Sequence, residues 1–139
     1  MKVILNNNEN VIVEERFVKY DVAKWLESNG FDCLCYWYYP KNGGEVQQLS
    51  WAELNYNLGN YIKAPTHQMA IDWIRAKYGI SIELMMGAEK YTVRIVGRCL
   101  DENELSRITI YAHGDDPIEY DDPEQAIDAE LEWTIKNVL

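Results

Sequence analysis

The segment 80–112 most constrains the fold, because it contains three strand patterns in close succession. Residues 80–86 and 91–97 are separated by Gly87–Lys90, and this spacing and composition favour a β-hairpin. In 91–97, large apolar residues alternate with other side chains, which indicates one buried and one wetter face. Residues 105–112 alternate in a similar way and predict a third strand. We therefore expect neighbouring antiparallel strands whose buried face is covered by helices.

Three helices are predicted, over residues 19–29, 67–78 and 122–137. The second and third have clear starts, because Thr66 and Asp122 are residue types whose side-chain oxygens cap a helix N-terminus. Apolar residues recur at helical spacing in all three segments, which indicates that each helix buries one face.

Particular residues can be assigned to these buried faces. On the helix over 67–78, we expect Trp73 to be a core residue at the contact between helix and sheet. The last helix is expected to bury Ile127, Leu131, Thr134, Ile135 and Val138.

An aromatic-rich run over 33–39 predicts a further strand. We therefore predict an α+β fold, in which a mostly antiparallel four- to five-stranded sheet, including 33–39, packs against about three helices. The length fits a single domain over 1–139, and two short β-like runs within 1–14 predict an N-terminal hairpin-like extension. The region 45–63 shows one clear signal, the capping-box spacing of Ser50–Glu53, which predicts a short helical turn.

The charge distribution excludes one class of partner. The chain has a formal net charge of −10, and the segment 101–132 contains 12 acidic residues and one basic residue, Arg107. Neutralisation of phosphates supplies most of the affinity for nucleic acid, so we expect no direct binding to DNA or RNA. If the acids gather on one face, that face would dock a basic protein; otherwise they only solvate a loop and favour a helix start. The candidate acidic docking surface consists of Asp115, Asp116, Glu119, Asp121 and Asp122.

The cysteines and histidines form no motif for a catalytic or metal site. Cys33 and Cys35 would lie on one face of a strand and, with Cys99 and a histidine, have the residue types of a zinc site, but they lack Cys-x-x-Cys spacing. His67 lies in the first turn of a helix, where we expect an exposed side chain, and His113 lies in a polar loop. We therefore predict no catalytic residue, no cofactor and no metal.

Three observations on the sequence indicate the cellular compartment. No run approaches the ~20 apolar residues that span a bilayer. The apolar run at the start, Val3–Leu5, is too short for a signal peptide. Three cysteines cannot all pair within one chain, which is typical of a reducing compartment. We expect a cytoplasmic protein that has no membrane segment.

Three groups of residues, in this order, resemble a known protein family. They are Phe17–Val18 with Ala23–Leu26 and Gly30–Asp32, then Ala64–Gln68 with Ala70–Arg75, and finally Tyr120–Ala126. They are similar to segments of a family of small proteins that are encoded by prophages and mobile elements of gut Bacteroides-type bacteria. The resemblance covers roughly residues 16–139 and implies a cytoplasmic, phage-associated accessory role. It carries no activity and no catalytic residue.

The aromatic composition points to a function in binding. The chain has 5 Trp and 10 Tyr against 2 Phe, and the first two residue types are frequent at protein interfaces. With no catalytic motif, this predicts a non-enzymatic protein-interaction domain whose protein partner is unknown and is expected to be basic. The alternative is an acidic antagonist of a host DNA-binding protein, in which 101–132 imitates a phosphate backbone. A third hypothesis is a small enzyme that uses Cys35 or His67. The sequence leaves open whether the chain forms a homo-oligomer.

Overall fold

The structure is a computed structural model of the chain. It describes residues 2–5, 11–14, 16–100, 106–111 and 118–139.

The described chain contains four helices and three antiparallel sheets, which confirms the predicted α+β fold. The elements in chain order are β1 (Lys2–Leu5), β2 (Val11–Glu14), α1 (Tyr20–Ser28), β3 (Trp37–Pro40), β4 (Gln47–Gln48), α2 (Trp51–Tyr56), β5 (Tyr61–Lys63), α3 (His67–Tyr78), β6 (Ile80–Met86), β7 (Tyr91–Leu100), β8 (Ser106–Tyr111) and α4 (Pro123–Asn137).

The chain divides into two compact units. Residues Glu15–Ala70 form one, which we call the 15–70 unit. Residues Met1–Glu14 and Ile71–Leu139 form the other, which we call the 71–139 unit. That both belong to a single domain over 1–139 stays a prediction.

In the 15–70 unit, a three-stranded sheet has the order β4-β3-β5, and both pairs are antiparallel. Helix α1 packs against β5 and buries Val22, Ala23 and Leu26. Successive residues of a strand point to opposite faces, and both Tyr38 and Tyr39 of β3 are buried. The small sheet is therefore covered on both sides at its central strand.

Two segments of the 15–70 unit are joined just before their helices begin. The Val18 N–H donates to the Pro65 carbonyl at 3.0 Å, and the His67 N–H donates to the Arg16 carbonyl at 3.1 Å. His67 is buried, so the predicted exposure of its side chain is wrong. The reason is non-local, because a position in the first helical turn does not reveal that the chain around Arg16 pairs there.

In the 71–139 unit, the strands have the order β6-β7-β8, and α4 packs against β6 and β7. The predicted hairpin over 80–97 is confirmed, with residue pairs from Ile80↔Gly97 to Met86↔Tyr91. Its turn is closed by the Gly87 N–H, which donates to the Lys90 carbonyl at 2.8 Å. Strands β1 and β2 also pair antiparallel, as the hairpin-like pattern of 1–14 predicts.

The predicted helix starts are confirmed by their capping hydrogen bonds. Thr66 Oγ1 accepts from the Met69 N–H at 3.2 Å at the start of α3. Asp122 Oδ2 accepts from the Gln125 N–H at 3.1 Å at the start of α4. The capping box that begins at Ser50 forms as well, and it starts α2.

Two details of the predicted packing need correction. The run 33–39 does not join the sheet of 80–112, because its strand begins at Trp37 and pairs with β4 and β5. Strands of two and three residues show too little alternation to be recognised in a sequence. Trp73 is half-buried rather than a core residue, and its ring lies 4.7 Å from Lys77 Nζ.

The buried face of α4 is also more polar than expected. The buried residues are Glu124, Ala126, Glu130, Leu131 and Thr134, whereas Ile127, Ile135 and Val138 are half-buried. None of the helices in the described part of the chain is long and apolar enough to cross a bilayer.

Candidate functional site

A pocket of about 170 Å³ lies in the 15–70 unit. Helix α1 contributes Ala23 and Glu27 to its lining, and Phe31 follows from the loop after this helix. Gly30 places Phe31 there, because its positive φ of 88° lets the chain reverse at the helix end. The Phe31 N–H donates to the Leu26 carbonyl at 2.9 Å, as in a Schellman motif. The end of α1 thus fixes one wall of the pocket.

The rest of the lining comes from the sheet and from the 3₁₀ turn over Leu58–Asn60. These residues are Tyr38 of β3, Leu58, and Tyr61 and Lys63 of β5. The Tyr61 hydroxyl donates to Glu53 Oε2 at 2.8 Å, and this hydrogen bond raises the pKa of Tyr61. Its ring is therefore held by a partner on α2.

Two groups of opposite charge line this pocket. Lys63 is half-buried, and its Nζ donates to the Cys33 carbonyl at 2.9 Å, which fixes the position of the ammonium. The Glu27 carboxylate belongs to an exposed residue on α1. No ion pair joins Glu27 to Lys63, although both residues line the same pocket. Neither charge is therefore neutralised by the other.

The same unit presents large apolar side chains to solvent. Within the described chain, six of the ten exposed large apolar residues lie between Leu34 and Leu58. Trp51 and Tyr56 of α2 are 75% and 80% exposed, and α2 contains no buried residue. A helix normally exists because it buries an apolar stripe, so the exposure of two aromatic rings on α2 is unusual.

The structure describes three of the five predicted acidic docking residues. Asp115 and Asp116 lie outside the described residues. Glu119, Asp121 and Asp122 are exposed. Asp121 forms an ion pair with Lys90, and Asp122 is the N-cap of α4. Two of the three described acids thus have a role in holding the fold, and docking by this surface stays a prediction.

Of the five predicted cysteine and histidine candidates, the structure describes the side chains of three, Cys33, Cys35 and His67. Cys33 is half-buried, and Cys35 is buried. Burial raises the pKa of Cys35 to about 11, although Lys63 opposes this change. His67 is buried, and His113 lies outside the described residues. Among the residues that the structure describes, no three His, Cys, Asp or Glu side chains are grouped so that they could hold a metal ion.

A buried carboxylate in the 71–139 unit was not anticipated from the sequence. Glu130 of α4 is 2% exposed, and its Oε1 accepts a hydrogen bond from the Tyr120 hydroxyl at 2.9 Å. Burial, together with this hydrogen bond and the negative charge of Glu130, raises the pKa of Tyr120 to about 12. The backbone of Tyr120 also pairs with Tyr91 at the start of β7, which aims its hydroxyl at α4. This contact stabilises the fold and is not exposed enough to be a binding site.

Comparison of the chain with protein-family models, curated proteins and solved structures finds no match. The resemblance to prophage-encoded proteins therefore stays a prediction. The sequence pattern did not reveal the pocket either, because its lining comes from separate short segments between Ala23 and Lys63. The one signal for the exposed aromatic residues was the excess of Trp and Tyr in the composition.

Proposed function

We propose that the protein is a non-enzymatic protein-interaction domain, and that α2 of the 15–70 unit is its principal contact with a partner protein. One observation carries the proposal, namely that α2 exposes Trp51 and Tyr56 while it buries none of its own residues. A helix of six residues gains little stability from its own hydrogen bonds. The Ser50 cap and the hydrogen bond between Glu53 and Tyr61 hold α2 in place, so that both rings are displayed before a partner arrives.

The exposed rings are large enough to anchor an interface. A Trp or Tyr side chain buries roughly 150–250 Å² when it is fully covered. Because Trp51 and Tyr56 are 75% and 80% exposed, they would together supply about 230–390 Å² of the roughly 800 Å² per partner in a typical specific interface. Trp and Tyr are also enriched among the few residues that dominate binding energy. The remaining area would come from neighbouring exposed residues of the same segment.

The chemistry of the partner follows from charge. The chain carries a formal net charge of −10, so a partner with basic residues around an apolar contact would associate faster than an acidic one. Added salt should slow this association, because salt screens the attraction. The proposed accessory role in a prophage or mobile element rests on the resemblance of the three groups of residues alone.

The protonation state of Cys35, the candidate cysteine nucleophile, supports a role without catalysis. A cysteine nucleophile must be a thiolate, and catalytic cysteines have lowered pKa values. Burial raises the pKa of Cys35 to about 11, so this side chain is a neutral thiol at physiological pH. The feature is typical of a structural cysteine rather than of an attacking group.

A capture experiment tests the proposal. The wild-type protein and a Trp51→Ser/Tyr56→Ser variant are used as baits in a bacterial lysate, and the captured partner is purified and titrated with each. If both rings contribute about 2 kcal/mol, the double variant should bind at least about a hundredfold more weakly. Met86→Ser is the matched control, because Met86 is 80% exposed but lies in the 71–139 unit. Equal affinity of the wild type and the double variant would contradict the proposal.

A further inference from the structure

The pocket of the 15–70 unit has features that the exposed rings of α2 do not explain. Its walls are mostly apolar, since Phe31 and Tyr38 are buried aromatic residues and Ala23 and Leu58 are aliphatic. Small-molecule sites typically combine such walls with a few fixed polar groups. Leu58 is 45% exposed and Glu27 is exposed as well, so the pocket opens to solvent. A ligand can therefore enter without a change in the fold.

The size of the pocket limits the ligand. Its volume is about 170 Å³. A cavity of roughly 150 Å³ holds one benzene ring, whereas drug-sized ligands need roughly 300–1,000 Å³. The pocket can therefore take one aromatic ring or one branched aliphatic group, together with only a few further atoms. A nucleotide is too large for it.

The two charges define the polar part of the ligand. A monoanion would be attracted by Lys63 and repelled by Glu27. A monocation would be attracted by Glu27 and repelled by Lys63. A zwitterion satisfies both groups, with its carboxylate at Lys63 and its ammonium at Glu27. Lys63 Nζ has three N–H donors, and one of them is used by the Cys33 carbonyl, so two remain for a carboxylate. We propose that this pocket binds a free α-amino acid with a medium-sized apolar side chain, such as leucine or phenylalanine.

The proposed orientation makes use of each wall. The apolar side chain of the amino acid lies between the rings of Phe31 and Tyr38, where it is removed from water. Lys63 receives the carboxylate with an ammonium that is already held in place by Cys33. This arrangement involves neither Trp51 nor Tyr56, which do not line the pocket. The inference thus does not depend on the proposed contact of α2 with a protein partner.

Ligand titrations followed by NMR of the labelled protein test the inference. L-leucine and L-phenylalanine should produce saturable shifts at Phe31 and Tyr61, with dissociation constants on the order of millimolar for so small a ligand. Phenethylamine lacks the carboxylate, phenylpropionate lacks the ammonium, and alanine lacks the large side chain. Each of these three should bind at least about tenfold more weakly than phenylalanine. The absence of saturable shifts with both leucine and phenylalanine overturns the inference, and so does equal binding of either singly charged analogue.

Variants test the contribution of the Glu27 carboxylate. Glu27→Gln should weaken phenylalanine binding by roughly threefold to tenfold and strengthen phenylpropionate binding, because it removes the repulsive carboxylate. Glu45→Gln is the matched control, since Glu45 is an exposed acid of the same unit that does not line the pocket, and it should change neither affinity. Equal effects of Glu27→Gln and Glu45→Gln would overturn the assignment of Glu27. The Trp51→Ser/Tyr56→Ser variant should bind phenylalanine normally, so a failure of the proposed protein contact is distinguishable from a failure of this site.

Discussion

The hydrogen bond between Tyr120 and Glu130 allows a quantitative test of the 71–139 unit. Tyr120→Phe removes only the hydroxyl, and the carboxylate of Glu130, which is 2% exposed, loses one donor. A hydrogen bond to a charged group contributes about 1.5–3 kcal/mol, and a buried acceptor left without its donor cannot be compensated fully by water. The backbone pairing of Tyr120 with Tyr91 does not need the hydroxyl and should remain. We expect the free energy of unfolding to fall by about 1.5–3 kcal/mol.

Urea unfolding, followed by tryptophan fluorescence, measures this change. The midpoint should fall while the slope stays constant, because the exposed area on unfolding is unchanged. Tyr56→Phe is the matched control, since the ring of Tyr56 is 80% exposed, and it should change stability by less than about 0.5 kcal/mol. If Tyr120→Phe changes stability as little as the control does, the hydrogen bond between Tyr120 and Glu130 does not exist as described.

The raised pKa of Tyr120 predicts that the free energy of unfolding depends on pH in the alkaline range. The pKa of Tyr120 rises from 10.0 to about 12 in the folded protein, so the folded state retains this proton more strongly than the unfolded state does. Its contribution to stability is therefore complete below pH 10 and is lost as the pH rises towards 12. Tyr120→Phe lacks this contribution, so the difference in stability between wild type and variant should narrow above pH 10. A difference that is constant across this range would contradict the raised pKa of Tyr120 in the folded protein.

Three further predictions concern single residues. Thr66→Ala removes the cap of α3 and should lower the free energy of unfolding by about 1 kcal/mol, measured by urea unfolding; an unchanged midpoint would argue against the cap. Trp73→Ala should cost less than the ~3–5 kcal/mol of a fully buried Trp, because Trp73 is half-buried; a loss in the full range would place it in the core. Cys35 should react more slowly than Cys33 with a thiol reagent at neutral pH, because its buried thiol has a pKa of about 11; equal rates would contradict its burial.

The features that could be predicted from the sequence are those with local causes. A helix cap needs one side chain and a backbone N–H that lies three residues later, so Thr66 and Asp122 mark the starts of α3 and α4 correctly. A hairpin with a short turn is similarly local, which is why the pairing of β6 with β7 follows from residues 80–97.

The remaining features depend on contacts between distant segments. Strand β3 pairs with β4 and β5, and these strands are too short to show a pattern. His67 is buried at a place where its backbone N–H pairs with the carbonyl of Arg16, about fifty residues away in the sequence. The candidate site also depends on contacts between distant segments, because Glu27 of α1 and Lys63 of β5 line one pocket only after α1 packs against β5.

The central claim is that α2 is the element that binds the partner protein. Footprinting of the complex with the captured partner tests this claim most directly. Solvent-accessible side chains of the free and the partner-bound protein are oxidised by hydroxyl radicals, and the modification of each residue is quantified by mass spectrometry. We predict that Trp51 and Tyr56, which are 75% and 80% exposed in the free chain, become protected in the complex. Met86, which is equally exposed in the 71–139 unit, should be oxidised to the same extent in both states. Protection of Met86 with unchanged oxidation of Trp51 and Tyr56 would contradict the assignment of α2 as the partner-binding element.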